Sequence, residues 1–434
     1  MGVSIETMPL AREELDRIEA LTERGGWHAD ARQLLRVEAP LPNGSSGEDT
    51  GEPSRGADPT RYRLVNLVLQ GGGVLGIAHV GFVAGLERAG VRFAGLAGAS
   101  AGAIVASGIA VIRGHDLTQA STKALLDLVS SVPADEFIDG PRPVRQLIKR
   151  LLGGHPPFAP QSWLGWRAAM DRLRRTRGLN PGDAFTEWLA GEFARLGVPT
   201  TAALESALDD IAVQLAAATD TEAEAARRGL LTIVTTALPM GMKLRLPAEM
   251  DVLDPRYRSA SAALIVRSSM AVPAFFEPSV FDLDRTAWSD FVAKRLGQLV
   301  PHQDIGAFQE MTRLPCVDGG VVSNLPVDAF ERAATGIPTI AVSLINWTGT
   351  ARRVREDSLT GLGRNLGAVL AAMRHQRDLD AVSRLRESRD DDLRVVAIDT
   401  GDKNWLDFTM SDQDMADLFL MGVERARTFL EQGV

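Results

Sequence analysis

Apolar residues in the first part of the chain form two short blocks, each followed by small residues and then by a helix-like pattern. The first block, residues 64–69, predicts a buried strand from its length and its β-branched content. The glycines of residues 71–76 follow, and apolar residues at helical spacing come next. The second block, residues 92–97, leads into small residues at 98–102 and a strongly apolar run at 103–112. This alternation predicts a parallel sheet covered by helices.

The rest of the chain has different patterns. Residues 113–230 show helical spacing with little strand character, and we interpret them as a helical excursion that is a candidate lid or acyl pocket. Residues 1–60 are expected to be an N-terminal extension with one amphipathic helix pattern. The extension ends, from residue 39, in a flexible Gly/Pro/Ser-rich linker. The folded domain is therefore expected to span residues 61–434. Further strand signals lie at 230–235, 314–317, 339–345 and 393–398.

Composition narrows the classes of function. The 47 basic and 56 acidic residues leave a net charge of −9, which argues against a protein that binds nucleic acid through phosphate contacts. The single cysteine, Cys316, excludes an internal disulfide framework and a cysteine-cluster zinc site. The six histidines show no metal-ligand spacing. We therefore expect no metal and no cofactor.

The sequence contains no recognisable targeting signal or membrane span. The N-terminus lacks a basic stretch followed by an apolar core, so no secretory signal is expected. The longest apolar run, residues 103–112, is about half as long as a bilayer span. These features predict a cytoplasmic protein whose contact with a membrane is peripheral.

Ser100 is the first candidate for chemistry, in the pentapeptide Gly98-Ala99-Ser100-Ala101-Gly102. The G-x-S-x-G pattern allows a sharp strand-to-helix turn that presents the serine hydroxyl above the helix N-terminus. A serine is a weak nucleophile unless a base activates it. A tight β–α turn whose serine has no chemical role fits the same pattern. The motif therefore needs partners elsewhere in the chain.

The glycine loop at residues 71–76 is compatible with two functions, dinucleotide binding and an oxyanion hole. Gly71, Gly73 and Gly76 satisfy G-x-G-x-x-G, as in a dinucleotide-binding oxidoreductase, but that use requires a carboxylate at the end of the next strand. Residues 92–97 contain none. The backbone N–H groups of Gly71, Gly72 and Gly73 suit an oxyanion hole, where a helix N-terminus adds positive potential. We favour the oxyanion hole.

A third motif supplies a candidate base. Asp318 ends an apolar run and is followed by Gly319 and Gly320, which suits a strand-end turn that faces a site. Asp-Gly is also a common turn dipeptide, so a purely structural turn is compatible with this motif alone. Cys316, two residues earlier, is expected to share the same side of the strand as a buried, unreactive thiol.

Together, the three motifs resemble the patatin-like phospholipase family. Its pattern is a strand followed by G-G-G-x-x-G, then G-x-S-x-G, then D-G-G or D-G-A much further along. Residues 267–278 and 399–408 resemble other family segments, and the resemblance covers residues 61–434. It implies a three-layer α/β/α sandwich around a mainly parallel sheet. It also implies a serine hydrolase that cleaves ester bonds of glycerolipids.

The resemblance further implies the roles of the site residues. Ser100 is the nucleophile and Asp318 the general base of a two-residue dyad, and the glycines at 71–73 donate to the oxyanion. Leu75 stands where many members carry Arg or Lys, which removes a side-chain phosphate contact but leaves the backbone donors. The glycines that support these motifs are Gly76, Gly98, Gly102, Gly319 and Gly320.

Other assignments stay open. A Ser–Asp–His triad in chain order requires a histidine after Asp318, and only His375, in an Arg-rich helix pattern, qualifies. His79 lies one turn into the helix after the glycine loop, where packing or capping is the commoner role. The protein is alternatively a catalytically silent or ligand-regulated binding module built on the same fold.

A basic segment of the chain indicates a possible binding partner. Between Arg142 and Arg177 there are nine basic residues and one acidic residue, Asp171. The aromatic residues interleaved with them are Phe158, Trp163 and Trp166. This segment suits docking on an anionic membrane surface, and it suits equally a helical cap whose aromatic residues pack on the core. The expected partners are a lipid or phospholipid substrate and an anionic membrane surface, with no nucleic acid. The oligomeric state is left open.

Overall fold

The structure is a computed structural model. It describes residues 4–40, 61–152, 163–227, 229–297, 302–331, 335–345, 383, 392–401, 403 and 410–433. The strands are β1 (Glu38–Pro40), β2 (Arg61–Leu69), β3 (Val91–Gly98), β4 (Gly178–Asn180), β5 (Leu231–Ala237), β6 (Met242–Pro247), β7 (Ala274–Phe276), β8 (Ser279–Asp282), β9 (Arg313–Asp318), β10 (Thr339–Ile345) and β11 (Leu393–Asp399). The helices are α1 (Pro9–Glu23), α2 (Ala29–Leu34), α3 (Ile77–Arg88), α4 (Ala101–Arg113), α5 (Thr122–Ser130), α6 (Arg142–Leu152), α7 (Trp163–Thr176), α8 (Asp183–Arg195), α9 (Thr201–Thr219), α10 (Ala223–Arg227), α11 (Ala263–Ser269), α12 (Arg285–Leu296), α13 (His302–Gln309) and α14 (Asp412–Gln432).

The described residues group into two compact units. The first unit draws on Met1–Val132, Ser206–Leu231 and Ser323–Val434. The second unit draws on Pro133–Glu205 and Thr232–Val322. Each unit combines stretches that are distant in the chain, which no local sequence pattern indicates.

A parallel sheet forms the centre of the first unit. Its strands lie in the order β11, β10, β2 and β3, all parallel, and β1 pairs antiparallel with the start of β2. The apolar residues at 64–69 are buried, as expected for a strand of a covered parallel sheet. The amide of Asn66, buried among them, is satisfied because it donates to the Ile337 carbonyl (2.9 Å) and accepts the Gly95 N–H (3.0 Å).

Helices α3 and α14 pack closely on each other in the first unit. A Cβ at Gly81 would overlap the Phe419 carbonyl, and a Cβ at Gly422 would overlap the Ala78 carbonyl. Glycine on both helices therefore permits an approach that no other residue would allow. Helix α1 packs on α14 with a buried face that includes Ile18.

The N-terminal segment contributes to the core of the first unit. Ile18, Trp27 and Leu34 are buried. The predicted amphipathic pattern corresponds to α1, and α2 follows it. The predicted extension over residues 1–60 therefore contains packed helices, whereas residues 41–60 of the predicted linker lie outside the described residues.

The second unit contains antiparallel strands and a group of helices. Strand β5 pairs antiparallel with β6 and with β9, and β9 pairs antiparallel with β8. The short strands β4 and β7 pair with each other in parallel. Helices α6 and α7 share a buried cluster that includes Val144, Leu147 and Ala169. Within the predicted helical excursion at 113–230, the described residues are mainly helical and include β4.

Strand positions agree closely with the sequence patterns. Each of the six predicted strand blocks overlaps an observed strand, whereas β1, β4, β6, β7 and β8 were not foreseen. The predicted α/β class, with a mainly parallel sheet flanked by helices, is confirmed. In the part of the chain that the structure describes, no helix combines the length and the apolarity needed to cross a membrane.

Candidate active site

Ser100 occupies the turn between β3 and α4 in the first unit. Its backbone lies at φ 52° and ψ −123°, a conformation that non-glycine residues rarely adopt and that costs on the order of 1–3 kcal/mol. The neighbouring residues must be small, because a Cβ at Gly98 would overlap Gly102 and a Cβ at Gly102 would overlap the Leu69 carbonyl. The structure therefore contains the sharp strand-to-helix turn that these small residues predict.

Ser100 also stands at the start of α4. Its carbonyl accepts the N–H groups of Ala103 (2.9 Å) and Ile104 (3.3 Å), whereas its hydroxyl is not used to cap the helix. The N–H groups in the first turn of a helix have no partner within the helix, and they carry a partial positive charge. This position favours negative charge that develops next to the serine.

The glycine loop lies against the serine turn. It follows β2, passes through a short 3-10 turn at Gly73–Gly76 and continues into α3. Gly73 has a φ of 57°, a conformation that favours glycine. A Cβ at Gly71 would stand only 3.0 Å from the Ser100 Cβ, so glycine permits this close approach. The structure brings the first two predicted motifs together within the first unit.

Asn324 anchors the glycine loop, and the sequence analysis did not single it out. Its side-chain Nδ2 donates to the Gly71 carbonyl (3.1 Å), and its backbone carbonyl accepts the Gly71 N–H (3.1 Å). Because the Gly71 N–H is engaged in this way, its predicted role as an oxyanion donor is corrected to that of an anchor. The available signal was the position of Asn324 shortly after Asp318-Gly319-Gly320.

Gln70 is held on three sides at the point where the loop leaves β2. Its N–H donates to the Val342 carbonyl (3.1 Å), and its side-chain Oε1 accepts the Leu344 N–H (2.7 Å). Its carbonyl lies 2.9 Å from Nε2 of His79. The loop therefore starts from a fixed position.

His79 is a buried, neutral residue of α3. Burial lowers the pKa of its imidazole from 6.5 to about 4, and the hydrogen bond with the Gln70 carbonyl opposes this shift in part. A carbonyl oxygen can only accept, so Nε2 carries the proton that is donated to Gln70. His79 therefore acts as a support for the loop rather than as a base at Nε2. The other histidine considered, His375, lies outside the described residues.

Asp318 ends β9 in the second unit and is buried. Its N–H donates to the Ala271 carbonyl (2.9 Å), and its carbonyl accepts the Thr236 hydroxyl (2.9 Å). Its carboxylate Oδ1 accepts the Gly320 N–H (2.7 Å), a charge-assisted bond that fixes the orientation of the carboxylate. A Cβ at Gly319 would overlap β5, so the turn requires glycine there.

The segment at 267–278 supports the strands around Asp318. The Ser269 hydroxyl donates to the Val234 carbonyl (2.6 Å), which ties this segment to β5. Cys316 is buried, and burial raises the pKa of its thiol to about 12, although a hydrogen bond with Thr235 opposes the shift. The predicted burial of the thiol is confirmed.

Leu75 and Asp399 belong to the remaining motifs that the sequence indicated. Leu75 is buried beside the glycine loop, where it presents no charge. Asp399 ends β11, whereas residues 404–408 of the second family-like segment lie outside the described residues. Among the residues that the structure describes, no group of three or more His, Cys, Asp or Glu side chains is arranged to hold a metal ion.

The fold and the geometry of the two loops place the chain in one class of protein. This class consists of α/β proteins with a serine in a strained strand-to-helix turn beside a glycine loop. A family model described as Patatin-like phospholipase matches residues 67–331, which is more than half of the chain. The chain belongs to the patatin-like phospholipase family. At the level of this family, membership supports a hydrolase that acts on lipids.

Two individual proteins are similar to this chain. The "Uncharacterized protein YqhO" of Bacillus subtilis strain 168 is 26% identical over 369 residues, which cover 84% of this chain and 97% of that protein. The crystal structure of VipD from Legionella pneumophila matches with a TM-score of 0.40 and 16% identity. That match covers 85% of this chain and 66% of the VipD chain. This chain therefore spans about two thirds of the length of VipD.

Proposed function

We propose that the protein is a serine acyl hydrolase that cleaves ester bonds of glycerolipids through an acyl-enzyme on Ser100. The observation that carries this proposal is the strained turn at Ser100, with Gly71 of the loop against it. Backbone strain of this kind persists only where the surrounding structure fixes it, and it accompanies exposed nucleophiles in strand-to-helix turns. Membership of the family supports a lipid as the substrate.

The proposed first step forms the acyl-enzyme. The Asp318 carboxylate accepts the hydroxyl proton of Ser100 while the serine Oγ bonds to the ester carbonyl carbon. The carbonyl electrons move to the oxygen, and the N–H groups of Gly72 and Gly73, with the N-terminus of α4, stabilise the alkoxide. The carbonyl then re-forms, the bond to the alcohol oxygen breaks, and the alcohol leaves with the proton from Asp318.

The proposed second step releases the fatty acid. Asp318 takes a proton from water, and the water oxygen bonds to the acyl carbon. The same N–H groups hold the second alkoxide. When the bond to Ser100 breaks, the proton passes from Asp318 to the serine oxygen, which restores both residues.

We include in the proposal the predicted contact of residues 142–177 with an anionic membrane. Nine basic residues and one acidic residue give this segment a balance of +8 (9 − 1), whereas the net charge of the chain is −9. Such a local excess attracts anionic headgroups, while the remainder of the chain is repelled. Phe158 lies outside the described residues, Trp163 is exposed, and Trp166 is partly buried.

Steady-state kinetics of two variants test the dyad. We expect Ser100→Ala and Asp318→Asn each to lower kcat by at least about 10³, on a fluorogenic short-chain ester and on a fluorogenic phospholipid. Because the two side chains act as a unit, the double variant should be no slower than the slower single variant. Asp127→Asn, an exposed position on α5, is the matched control. Wild-type rates in Asp318→Asn would remove Asp318 as the base.

A fluorophosphonate probe separates an enzyme from the alternative, a catalytically silent binding module. The activated serine displaces fluoride and forms a phosphonate ester, which mass spectrometry locates at Ser100 and which Ser100→Ala cannot form. A chain that binds phospholipid but neither reacts with the probe nor hydrolyses any acyl ester is the binding module. Tight binding of a nicotinamide dinucleotide would instead favour the oxidoreductase.

A further inference from the structure

Helix α7 of the second unit exposes large apolar side chains together with arginines. Trp163 and Leu164 are each 58% exposed, and Met170 is 45% exposed. Arg167 and Arg174 are exposed as well. With Trp163 and Met170, these arginines recur every three or four residues, which places the four along one line of the helix. We call these five residues the α7 outer face.

The opposite side of α7 is packed against α6. A Cβ at Gly165 would stand 2.9 Å from the Pro143 carbonyl, so the two helices are in close contact. Ala169 is buried in a cluster with Val144 of α6, and Trp166 packs against the same cluster. Since its inner side is held in this way, the exposure of the α7 outer face follows from the packing of the helix.

The remaining charges of α7 are engaged within the unit. Arg172 is turned inward and pairs with Glu277 (2.5 Å), so it does not belong to the α7 outer face. Asp171 is the acidic residue of the segment 142–177, and it pairs with Arg175 one turn away. The α7 outer face therefore combines apolar side chains with positive charge, and the charge of the neighbouring Asp171 is offset by its ion pair with Arg175.

We propose that the α7 outer face docks the protein on the surface of a membrane that contains anionic lipids. Trp163, Leu164 and Met170 enter the boundary between headgroups and acyl chains. The guanidinium groups of Arg167 and Arg174 reach the lipid phosphates, because their long stems lie along the same apolar surface. The inference deepens the proposed function, on which it rests for the lipid substrate, but docking itself requires no catalysis.

Charge favours a lipid surface over a second copy of this chain. A symmetric contact of the α7 outer face with itself would bring Arg167 and Arg174 against the same arginines of the partner. The basic segment stands out from a chain with a net charge of −9, so a uniformly negative surface would orient the protein with this side towards it. The neighbouring helix α6 adds exposed basic residues, Arg142, Arg145 and Lys149.

Vesicle flotation with the full chain tests the inference. The vesicles are phosphatidylcholine alone and phosphatidylcholine with phosphatidylserine. We expect Arg167→Gln/Arg174→Gln to weaken binding to the anionic vesicles by about 25-fold, at about fivefold for each arginine, and added salt to reduce this difference. Trp163→Ser should weaken binding to both vesicle types by about tenfold.

Matched controls come from exposed residues of α1 and its end. Leu10→Ser removes an apolar side chain that is 63% exposed, and Arg12→Gln/Arg24→Gln removes two exposed arginines. These controls should bind vesicles as the wild type does. Vesicle binding that is unchanged in both α7 variants overturns the inference, and so does an equal loss in the controls.

Hydrolysis of a soluble short-chain ester separates failure of this inference from failure of the proposed function. The α7 variants should keep the wild-type rate on the soluble ester and lose rate only on anionic vesicles. A wild type that hydrolyses the soluble ester without binding vesicles overturns the docking surface and leaves the proposed hydrolysis standing. A wild type that binds vesicles through the α7 outer face but hydrolyses no ester supports docking and overturns the proposed hydrolysis. Self-association that the α7 variants abolish, without vesicle binding, would assign the face to a second copy.

Discussion

At the scale of single residues, two hydrogen bonds between Asn324 and Gly71 help to hold the glycine loop in place. The backbone of Asn324 accepts the Gly71 N–H, and its side chain donates to the Gly71 carbonyl. Gly72 and Gly73, the proposed oxyanion donors, follow directly. An error of a few tenths of an ångström in the donors weakens the stabilisation of the alkoxide, because that stabilisation depends on preorganised geometry.

Asn324→Ala removes the side-chain bond to the Gly71 carbonyl and keeps the backbone bond to the Gly71 N–H. We expect kcat to fall by about tenfold with KM within about twofold, since the donors act mainly on the transition state. The free energy of unfolding should fall by about 1 kcal/mol, the usual contribution of one hydrogen bond. Ester kinetics and urea denaturation measure the two effects. Gln413→Ala, which loses an exposed bond to Asp417, is the control. A stability loss with unchanged kcat would show that Asn324 has no influence on the donors.

The sequence could predict those residues that are required by the backbone geometry of a turn nearby in the chain. Gly98 and Gly102 are required by the turn that contains Ser100, and Gly319 is required by the turn after Asp318, so short motifs reveal them. Asn324 was missed because its partner, Gly71, lies 253 residues away in the chain. A contact of that separation leaves no periodic signal.

At the scale of helices and strands, apolar runs located the strands because a covered parallel strand is apolar over its whole length. Hydrogen bonds between helices were harder to predict from the sequence. Glu87 of α3, for example, accepts the N–H groups of Ser121 (2.9 Å) and Thr122 (2.9 Å) at the start of α5. No short capping motif encodes such a cap, since the acceptor lies on another helix. The burial of Trp27 was unforeseen as well.

Two glycine substitutions test how closely α3 approaches α14. Gly81→Ala would force a methyl group into the Phe419 carbonyl, so we expect the free energy of unfolding to fall by about 2–4 kcal/mol. Gly191→Ala is the matched control, because this glycine of α8 has open space around it. That change should raise the free energy of unfolding by about 0.5–1 kcal/mol through helix propensity. Denaturant titration measures both, and equal effects would contradict the close packing.

At the scale of the whole molecule, burial places a histidine where solvent cannot stabilise its charge. His79 is fully buried, and its pKa of about 4 lies below the value of 6.5 that it has when exposed to water. Well above pH 6.5 the histidine is neutral in the folded and the unfolded chain, so its titration does not affect stability there. Between pH 6.5 and 4 the unfolded chain binds a proton that the folded chain does not. Stability is therefore lost as the pH falls through this range.

His79→Gln should remove this pH dependence, because a glutamine does not titrate and its amide can donate to the Gln70 carbonyl in place of Nε2. We expect the unfolding free energy of the wild type, relative to the variant, to fall by at most about 1.4 kcal/mol per pH unit between pH 6.5 and 4, and to stay constant from pH 7 to 8. Urea denaturation at a series of pH values measures the difference, in which the carboxylates common to both chains cancel. His28→Gln, which replaces an exposed histidine, is the control. Parallel stability curves for the wild type and His79→Gln would show that the imidazole takes up its proton equally well in the folded chain.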